Sequence, residues 1–222
     1  MIYAWMTMGL LTMIVPGCKK TDSASAPVIV VDIDGNYYHT VKIGNQVWMA
    51  ENLRVTHYRN GDAIPTDIAN GASALGGRRS YYNEDSATNN PVYGALYNWF
   101  AATDPRNICP AGWHIPSDEE WTQLTDYLGG DSVAGGKLKY NGGNWTGNNT
   151  GATNETGFAA LPGGYYDVNN FNDLGERGFW WSSEGYSYPT LAWYRFMSNN
   201  TIRVGKLGYN KRALFSVRCI KN

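Results

Sequence analysis

The stretch CPAGWHIPSDEEWTQLTDYL, residues 109–128, contains one cysteine, two tryptophans and the clearest helix signal of the chain. Ser117 and Glu120 fit the S-x-x-E capping box, in which each side chain accepts a hydrogen bond from the backbone N–H of the other residue. Asp118 and Glu119 complete a first turn whose negative charge suits the helix dipole. Because consecutive helical side chains point in different directions, we interpret these carboxylates as a helix start and not as a catalytic set.

The residues after this cap predict how the helix packs. Trp121, Leu124 and Leu128 recur at helical spacing, which predicts one buried apolar face. The pair Gly129–Gly130 follows at once and predicts the end of the helix. We therefore expect a short, well-capped helix at the centre of the fold.

The composition predicts an exported, loop-rich domain. Charged residues make up 17% of the 222 residues, against about 25% in an average domain. Glycine (26), tryptophan (9) and tyrosine (16) are abundant. A net charge of −1 gives no electrostatic footprint for nucleic acid, so that class of partner is excluded.

The N-terminal residues predict a lipoprotein leader. The first fifteen are almost all apolar, too short to cross a bilayer comfortably but typical of a signal-peptide core. The sequence VPGC at 15–18 resembles a bacterial lipobox, although its proline is unusual and no basic residue precedes the apolar run. This pattern predicts a signal peptide over 1–17, lipid attachment at Cys18 and a tether over 18–27. A plain secretory signal or an uncleaved anchor is the alternative.

Two further cysteines, Cys109 and Cys219, most simply form a disulfide in an exported protein. Closing a loop of about 110 residues stabilises a fold by at most about 4 to 5 kcal/mol on the chain-entropy model. A free thiol or a metal site has less support, because no third soft ligand lies near either cysteine in the sequence. The bridge is expected to tie the central helix to the last strand.

The other segments predict strands on both sides of a helical middle. Asp34–Gly35 is a strong hairpin signal between two β-rich runs. Residues 93–103 carry apolar positions at helical spacing and predict a first helix. Strands are predicted in GFWWSS, LAWYRFM, TIRVG and ALFSVRCI. We therefore predict one α+β domain over residues 28–222, with short, mainly antiparallel strands, two main helices and long loops.

Six sequence blocks carry a family resemblance. They occur in the order DGNYYHTVKIGNQVWMAENLR, VYGALYNWFAA, CPAGWHIPSDEEWTQL, GFAALPGG, FWWSS and SVRCIK. Together they resemble the Fibrobacter succinogenes major paralogous domain over about residues 31–222. Members of that family are typically exported, often as lipoproteins of Bacteroidota, and their activity is largely uncharacterised. The resemblance implies a lipid-anchored protein of the cell envelope, at the outer membrane and exposed at the cell surface.

A looser similarity concerns the fold. WHIPSDEEW and the final SVRCIK resemble the helix and the terminal strand of C-type-lectin-like folds, including formylglycine-generating-enzyme-like domains. This similarity implies that the terminal strands pair, that two helices flank them and that long loops present the ligand. Fold alone does not give function.

Calcium and catalytic chemistry have little support in the sequence. The tripeptides of calcium-dependent lectins do not occur, and the nearest oxygen-rich cluster is Asp167, Asn169, Asn170, Asn172 and Asp173. A solvated turn is the alternative interpretation of that cluster, and we predict no cofactor. The three histidines share no metal-ligand spacing, and no nucleophile elbow, P-loop or dinucleotide fingerprint is present. We expect no enzyme activity.

Aromatic side chains carry the functional hypothesis. Flat rings beside Asn, Asp and Gly stack on sugar rings while polar groups bind the hydroxyls. Adjacent residues of a strand point to opposite faces, so at least one of Trp180 and Trp181 is expected in the core, and core packing is the alternative for each candidate. The candidate ligand-binding residues are Trp145, Tyr165, Tyr166, Trp180, Trp181, Tyr186, Tyr188 and Trp193.

These observations favour a non-enzymatic binding module for a glycan or a protein ligand. One alternative is an envelope enzyme of the formylglycine-generating type, which requires an open cleft with converging titratable groups. Another is a structural or adhesive surface protein without a small-molecule ligand. An exposed aromatic shelf favours the glycan, whereas a flat apolar patch favours a protein partner.

Overall fold

The structure, a computed structural model, describes Met1 and residues 29–66 and 76–222. The predicted signal peptide and Cys18 lie outside the described residues, except for Met1. The described part confirms an α+β domain, but it contains four short helices where two main ones were expected. The helices are α1 (Ser86–Tyr93), α2 (Trp99–Ala102), α3 (Asp118–Tyr127) and α4 (Asp131–Leu138), and a 3-10 turn covers Tyr82–Glu84.

Thirteen strands are present in the described residues. They are β1 (Ile29–Val31), β2 (Tyr37–Ile43), β3 (Gln46–Met49), β4 (Arg79–Ser80), β5 (Leu96–Tyr97), β6 (Trp113–His114), β7 (Gly163–Asp167), β8 (Asn170–Leu174), β9 (Arg177–Gly185), β10 (Leu191–Ser198), β11 (Val204–Asn210), β12 (Phe215–Ser216) and β13 (Ile220–Lys221). The hairpin predicted at Asp34–Gly35 is confirmed, since it joins β1 to β2.

The strands form two sheets. The smaller has the order β1-β2-β3-β13-β6, and the larger has the order β11-β10-β9-β12-β5-β4 with β7 and β8 attached through β9. The pairs are antiparallel except β12 with β9 and β7 with β9. In the smaller sheet Ile220 lies opposite Trp48, so the N-terminal hairpin and β13 share one sheet.

Helix α3 forms as its sequence predicts. Ser117 Oγ accepts the backbone N–H of Glu120 at 3.1 Å, and Glu120 Oε2 accepts the backbone N–H of Ser117 at 2.8 Å. Trp121, Leu124 and Leu128 are 0%, 0% and 6% exposed, which confirms the buried face. The glycine pair after the helix has positive φ at both positions and ends it.

The disulfide is also confirmed. Cys109 and Cys219 are bonded at 2.08 Å, and the two residues are 110 apart in the chain. Both lie in the core, at 1% and 0% exposure. The bond joins the segment before α3 to the residue before β13.

The helix predicted over residues 93–103 is wrong. Gly94 has a φ of +79° and its α-carbon lies against the backbone of residues 52–53, where a side chain has no room. The next residues form β5 by pairing with the distant strand β12. Asn98 then caps the short α2, because its Oδ1 accepts the backbone N–H of Ala101 at 2.9 Å. Long-range pairing has overridden a local helical pattern.

Two aromatic cores lie on opposite faces of β9. Trp180 belongs to the core under α3, where the ring centroids of Trp48 and Trp121 are 4.9 Å apart. Trp181 belongs to the other core and stacks on Phe215 at 4.3 Å. Because both faces of this strand are covered, both tryptophans are fully buried.

A buried lysine at the end of α4 ties the loop that contains Thr150 to the end of β10 and the connection that follows it. Lys139 Nζ donates to the carbonyl oxygens of Thr150, Ser198 and Thr201 at 3.0, 3.0 and 2.9 Å. Burial lowers the pKa of Lys139 to about 8. The ammonium form therefore predominates at neutral pH, and its three N–H donors match the three carbonyls.

Candidate functional site

Three aromatic side chains, Tyr186, Tyr188 and Trp193, lie together on the surface where β9 connects to β10. We call this group the aromatic shelf. The ring centroids of Tyr186 and Trp193 are 4.3 Å apart with the rings at 70°, and Tyr188 stacks on Tyr186 at 6.3 Å and 17°. Tyr188 is 66% exposed, and the other two are partly exposed. The shelf contains three of the eight aromatic residues predicted from the sequence.

A β-bulge in β9 leaves the shelf uncovered. The register shifts between Ala192 and Tyr194 of β10, opposite residues 182–184 of β9. Trp193 therefore has no directly opposed residue on β9. The middle residue of the bulge donates its backbone N–H to the carbonyl of Pro116 at 2.9 Å, directly before the α3 cap. Bulges bend a strand and redirect its side chains, and this one lets the tryptophan reach solvent.

Glycine 208 of β11 supports the shelf from below. Gly208 lies opposite Trp193 in the ladder. A Cβ atom at this glycine would lie 2.7 Å from the ring of Tyr186, so that ring rests directly on the strand. Any larger residue at position 208 has to displace the tyrosine.

An ion network borders the tryptophan of the shelf. Lys206 Nζ lies 4.5 Å from the ring centroid of Trp193 and 2.6 Å from Asp118 Oδ2. Arg195 Nη1 lies 2.7 Å from Asp118 Oδ1. The arginine side chain is 1% exposed, and the lysine side chain is 33% exposed. The network joins the first residue of α3 to the two outer strands β10 and β11.

The network also fixes the ionisation of Asp118. Burial opposes the charged form, but hydrogen bonds from Lys206 and Arg195, together with their positive charges, outweigh burial and lower the pKa of Asp118. A carboxylate held by two cations is a poor proton acceptor. The arrangement therefore suits binding, with flat rings in the middle and a lysine at their edge, better than acid–base chemistry.

Three of the predicted ligand-binding residues are enclosed in the core. Trp145, Trp180 and Trp181 are 4%, 0% and 0% exposed, so no ligand can stack on them. Their indole N–H groups already have acceptors: Trp145 donates to the carbonyl of Ala160, Trp180 to Asn52 Oδ1, and Trp181 to the carbonyl of Tyr97. These residues stabilise the fold.

Tyr165 and Tyr166 lie on β7, apart from the shelf. Tyr165 packs on Phe179 with ring centroids 4.8 Å apart, and Tyr166 packs on Phe171 at the same distance. Both are partly buried. Because they point to opposite faces of their strand, they do not form a common surface.

The oxygen-rich cluster considered for calcium does not converge. Asp167 and Asn172 lie on one face of the β7–β8 hairpin, whereas Asp173 lies on the other. Asp167 Oδ2 accepts the hydroxyl of Tyr209 at 2.8 Å, and the Oδ1 of Asn169 accepts that of Tyr166 at 3.3 Å. In the part of the chain that the structure describes, no group of three metal-ligating side chains is found. These contacts favour the solvated turn.

The three histidines and the two cysteines of the domain do not form a common reactive site, because each already has a partner. His39, His57 and His114 each contact a different carboxylate, at 2.7, 2.6 and 2.9 Å. The formylglycine-type alternative requires a reactive cysteine pair, but Cys109 and Cys219 are buried and bonded to each other. These contacts give that alternative no support.

The sequence interpretation missed the polar half of the site. The capping pattern by itself accounts for Asp118, and Arg195 and Lys206 are not among the residues that the sequence predicts for a site. The strand sequence LAWYRFM does indicate one of these residues. Arg195 lies two positions from both Trp193 and Met197, so the three side chains point to the same face of the strand. A charged residue in phase with apolar ones on a strand requires a buried partner. The identity of that partner, however, depends on the fold.

Comparison with protein-family models identifies the family of this domain. The model of the Fibrobacter succinogenes major domain matches residues 41–221. The chain belongs to this family. The match covers α3, the disulfide and the whole aromatic shelf, so these features lie inside the Fibrobacter succinogenes major domain. No curated protein and no solved structure matches the chain.

Among residues 29–66 and 76–222, no helix is both long enough and apolar enough to cross a bilayer.

Proposed function

We propose that this Fibrobacter succinogenes major domain is a non-enzymatic binding module whose aromatic shelf binds a glycan. The exposed group of Tyr186, Tyr188 and Trp193 carries the proposal. Sugar rings have flat C–H faces that stack on aromatic rings, and their hydroxyls need polar partners at the edge. Lys206, over the ring of Trp193, provides such a donor.

The proposed architecture is C-type-lectin-like. Two features support it: β3, the strand after the N-terminal hairpin, pairs with β13, and the disulfide ties the segment before α3 to the same region. In lectin-like folds the terminal strands pair in this way while connections elsewhere present the ligand. The shelf occupies such a connection, between β9 and β10.

The proposed location is the cell envelope, with lipid on Cys18 and the domain at the surface of the outer membrane. The VPGC sequence at residues 15–18 and the polar residues that follow it support this location. A surface glycan or, failing that, a surface protein is then the partner.

A glycan-array screen of the purified chain, with and without calcium, tests the binding function. We expect calcium-independent binding to a defined set of glycans. Trp193→Ala and Tyr188→Ala each remove one stacking surface and are expected to lower the affinity roughly 5- to 150-fold, since stacking on an aromatic ring contributes roughly 1 to 3 kcal/mol. Gly208→Val keeps every aromatic ring but displaces Tyr186, so it is expected to weaken binding as well.

Tyr127→Ala is the matched control. Tyr127 is 68% exposed, close to the 66% of Tyr188, but it lies on α3 outside the shelf. Its replacement is expected to leave glycan binding unchanged. If a folded, disulfide-bonded chain binds nothing on a broad array, the glycan proposal is wrong, and a protein ligand becomes the next hypothesis to test.

A further inference from the structure

One face of the N-terminal hairpin exposes four large apolar side chains. Ile29, Val31, Ile33 and Tyr37 are 53%, 46%, 49% and 66% exposed. Val31 lies directly opposite Tyr37 in the β1–β2 ladder, so their side chains are neighbours on one face. We call this set the apolar hairpin face. The other large apolar side chains exposed in the described residues are scattered, except for the shelf tyrosine.

The core does not need these side chains. The alternate residues of the hairpin point inward: Val30 packs against the larger core, and Tyr38 is fully buried. An antiparallel strand covered on one face normally carries polar residues on the other. β1 instead carries isoleucine and valine outward, at the edge of its sheet. An apolar outer face on an edge strand indicates a surface that is covered in the cell.

A cleft beside the apolar hairpin face has one positively charged side chain, Arg59, in its lining. The cleft has a volume of about 230 Å³ and is lined by apolar residues, including Val31, Ile33 and Ile108, together with Arg59 and Asp32. The carboxylate of Asp32 is committed to the hydroxyl of Tyr38, at 2.6 Å. The exposed guanidinium of Arg59 is therefore the group at this cleft that is suited to bind an anionic headgroup.

The position of the hairpin in the chain identifies what covers it. Ten residues, 19–28, separate Cys18 from Ile29. Fully extended, this length spans at most about 35 to 40 Å. With lipid on Cys18, the hairpin is the described part of the domain that the chain holds nearest to the bilayer. Such tethering gives even a weak surface contact a high effective concentration.

We propose that the apolar hairpin face is a membrane-contact surface, resting on the phospholipid bilayer that holds the lipid of Cys18. The proposal rests on the lipid anchor of the proposed function, and it adds a defined orientation of the domain. Ile29, Val31 and Ile33 enter the headgroup boundary, Tyr37 takes the interfacial position that tyrosine favours, and Arg59 meets phosphate. The contact is weak by itself and depends on the anchor.

Hydroxyl-radical footprinting of the full chain measures the side chains directly. The lipidated chain is bound to vesicles of phosphatidylethanolamine and phosphatidylglycerol, and the Cys18→Ser chain in solution is the reference. We expect a several-fold loss of oxidation at the four residues of the hairpin face on vesicles. Val133, Leu207 and Tyr127 are exposed elsewhere on the domain and are expected to be oxidised equally in both samples.

A triple variant tests the cause of that protection. Ile29→Ser, Val31→Ser and Ile33→Ser together remove the apolar contact but leave the anchor, and Tyr37 remains as the reporter. Its oxidation on vesicles is expected to return to the level in solution. Serine at Val133, Val168 and Leu207 is the control, because it removes as many exposed apolar side chains without touching the hairpin face.

The outcomes separate the two proposals. If Cys18 carries lipid and the chain binds vesicles but the hairpin stays fully oxidised, the membrane-contact surface is wrong and the anchor stands. If protection rises with the density of protein on the vesicle, a second copy covers the face and the proposal is also wrong. If Cys18 carries no lipid, the anchor itself fails, and the contact surface fails with it.

Discussion

Trp181 and Trp193 lie on neighbouring strands of one sheet, yet only Trp193 reaches solvent. Trp181 lies where β9 has a strand on each side and a core on each face, and its ring stacks on Phe215. Trp193 lies opposite the bulge, between two paired residues of β10, and has no directly opposed residue on β9. The difference shows that the strands and side chains packed around a tryptophan decide whether it is buried or exposed. Residue type and strand assignment alone do not decide whether a tryptophan of this sheet stabilises the fold or is available to a ligand.

Replacing each tryptophan by alanine is the strongest test of this contrast. Trp181→Ala opens a cavity in the core and removes the donor to the Tyr97 carbonyl, so we expect a loss of about 3 to 5 kcal/mol in the free energy of unfolding. Trp193→Ala is expected to cost less than about 1 kcal/mol, because its ring is partly solvated. Urea unfolding followed by circular dichroism measures both losses. Equal losses would mean that the shelf is part of the core.

Asp118, whose partner Lys206 borders the ring of Trp193, gives the next largest effect. Asp118→Asn leaves the guanidinium of Arg195, whose side chain is 1% exposed, without its anionic partner. We expect a loss of about 2 to 3 kcal/mol in the free energy of unfolding, reduced from the value for a fully buried pair because Lys206 is partly solvated. Glu119→Gln is the control, since Glu119 is the exposed neighbour of Asp118 on the same helical turn.

The same pair of variants predicts a pH dependence. The pKa of Asp118 is lowered in the folded state from its usual value of 3.8. Its contribution to stability is therefore present above pH 3.8 and is lost as the pH falls through the folded-state pKa. On acidification we expect the wild type to lose more stability than Asp118→Asn, whereas Glu119→Gln follows the wild type. Parallel curves for the wild type and Asp118→Asn would show that this ion network contributes nothing.

The smallest effect on stability is expected at the tip of the β7–β8 hairpin, which, like the β9–β10 connection, is an exposed turn between two strands. Val168 and Asn169 form its two-residue loop with φ values of 47° and 65°. A β-branched residue is strained in this left-handed region, whereas asparagine tolerates it. Val168→Asn is expected to raise the free energy of unfolding by about 0.5 to 1 kcal/mol in urea titrations. Val133→Asn replaces an exposed helical valine and is expected to give no gain.

Local signals allowed the most secure sequence predictions. The α3 cap, its buried face and its glycine end depend on residues within one stretch of the chain, and all three are confirmed. The disulfide prediction rests on the expectation of an exported protein and on the small number of cysteines, and the disulfide is confirmed. The Asp34–Gly35 hairpin is in the same class, because a turn signal between β-rich runs needs no tertiary information.

Predictions that depend on distant residues were less successful. The pattern over 93–103 is helical in isolation, but the pairing of β5 with β12, more than a hundred residues away, overrides it. The eight aromatic candidates share a residue type and a region of the chain, but the structure buries some of them and exposes others. No periodicity indicates that Trp193 will be exposed beside a bulge or that Trp145 will be buried, because both depend on the elements packed around each residue.

Strand β13 and Cys219 have a consequence for the order in which the domain folds as the chain is synthesised. The smaller sheet is incomplete without β13, which lies between β3 and β6. A chain emerging from the N-terminal end therefore presents β3 with one unsatisfied edge, and Cys109 as a free thiol, until residues 219–221 arrive. The smaller sheet therefore stays open until nearly all of the domain has been made. The disulfide therefore forms late, because Cys109 has no partner until Cys219 has been added to the chain.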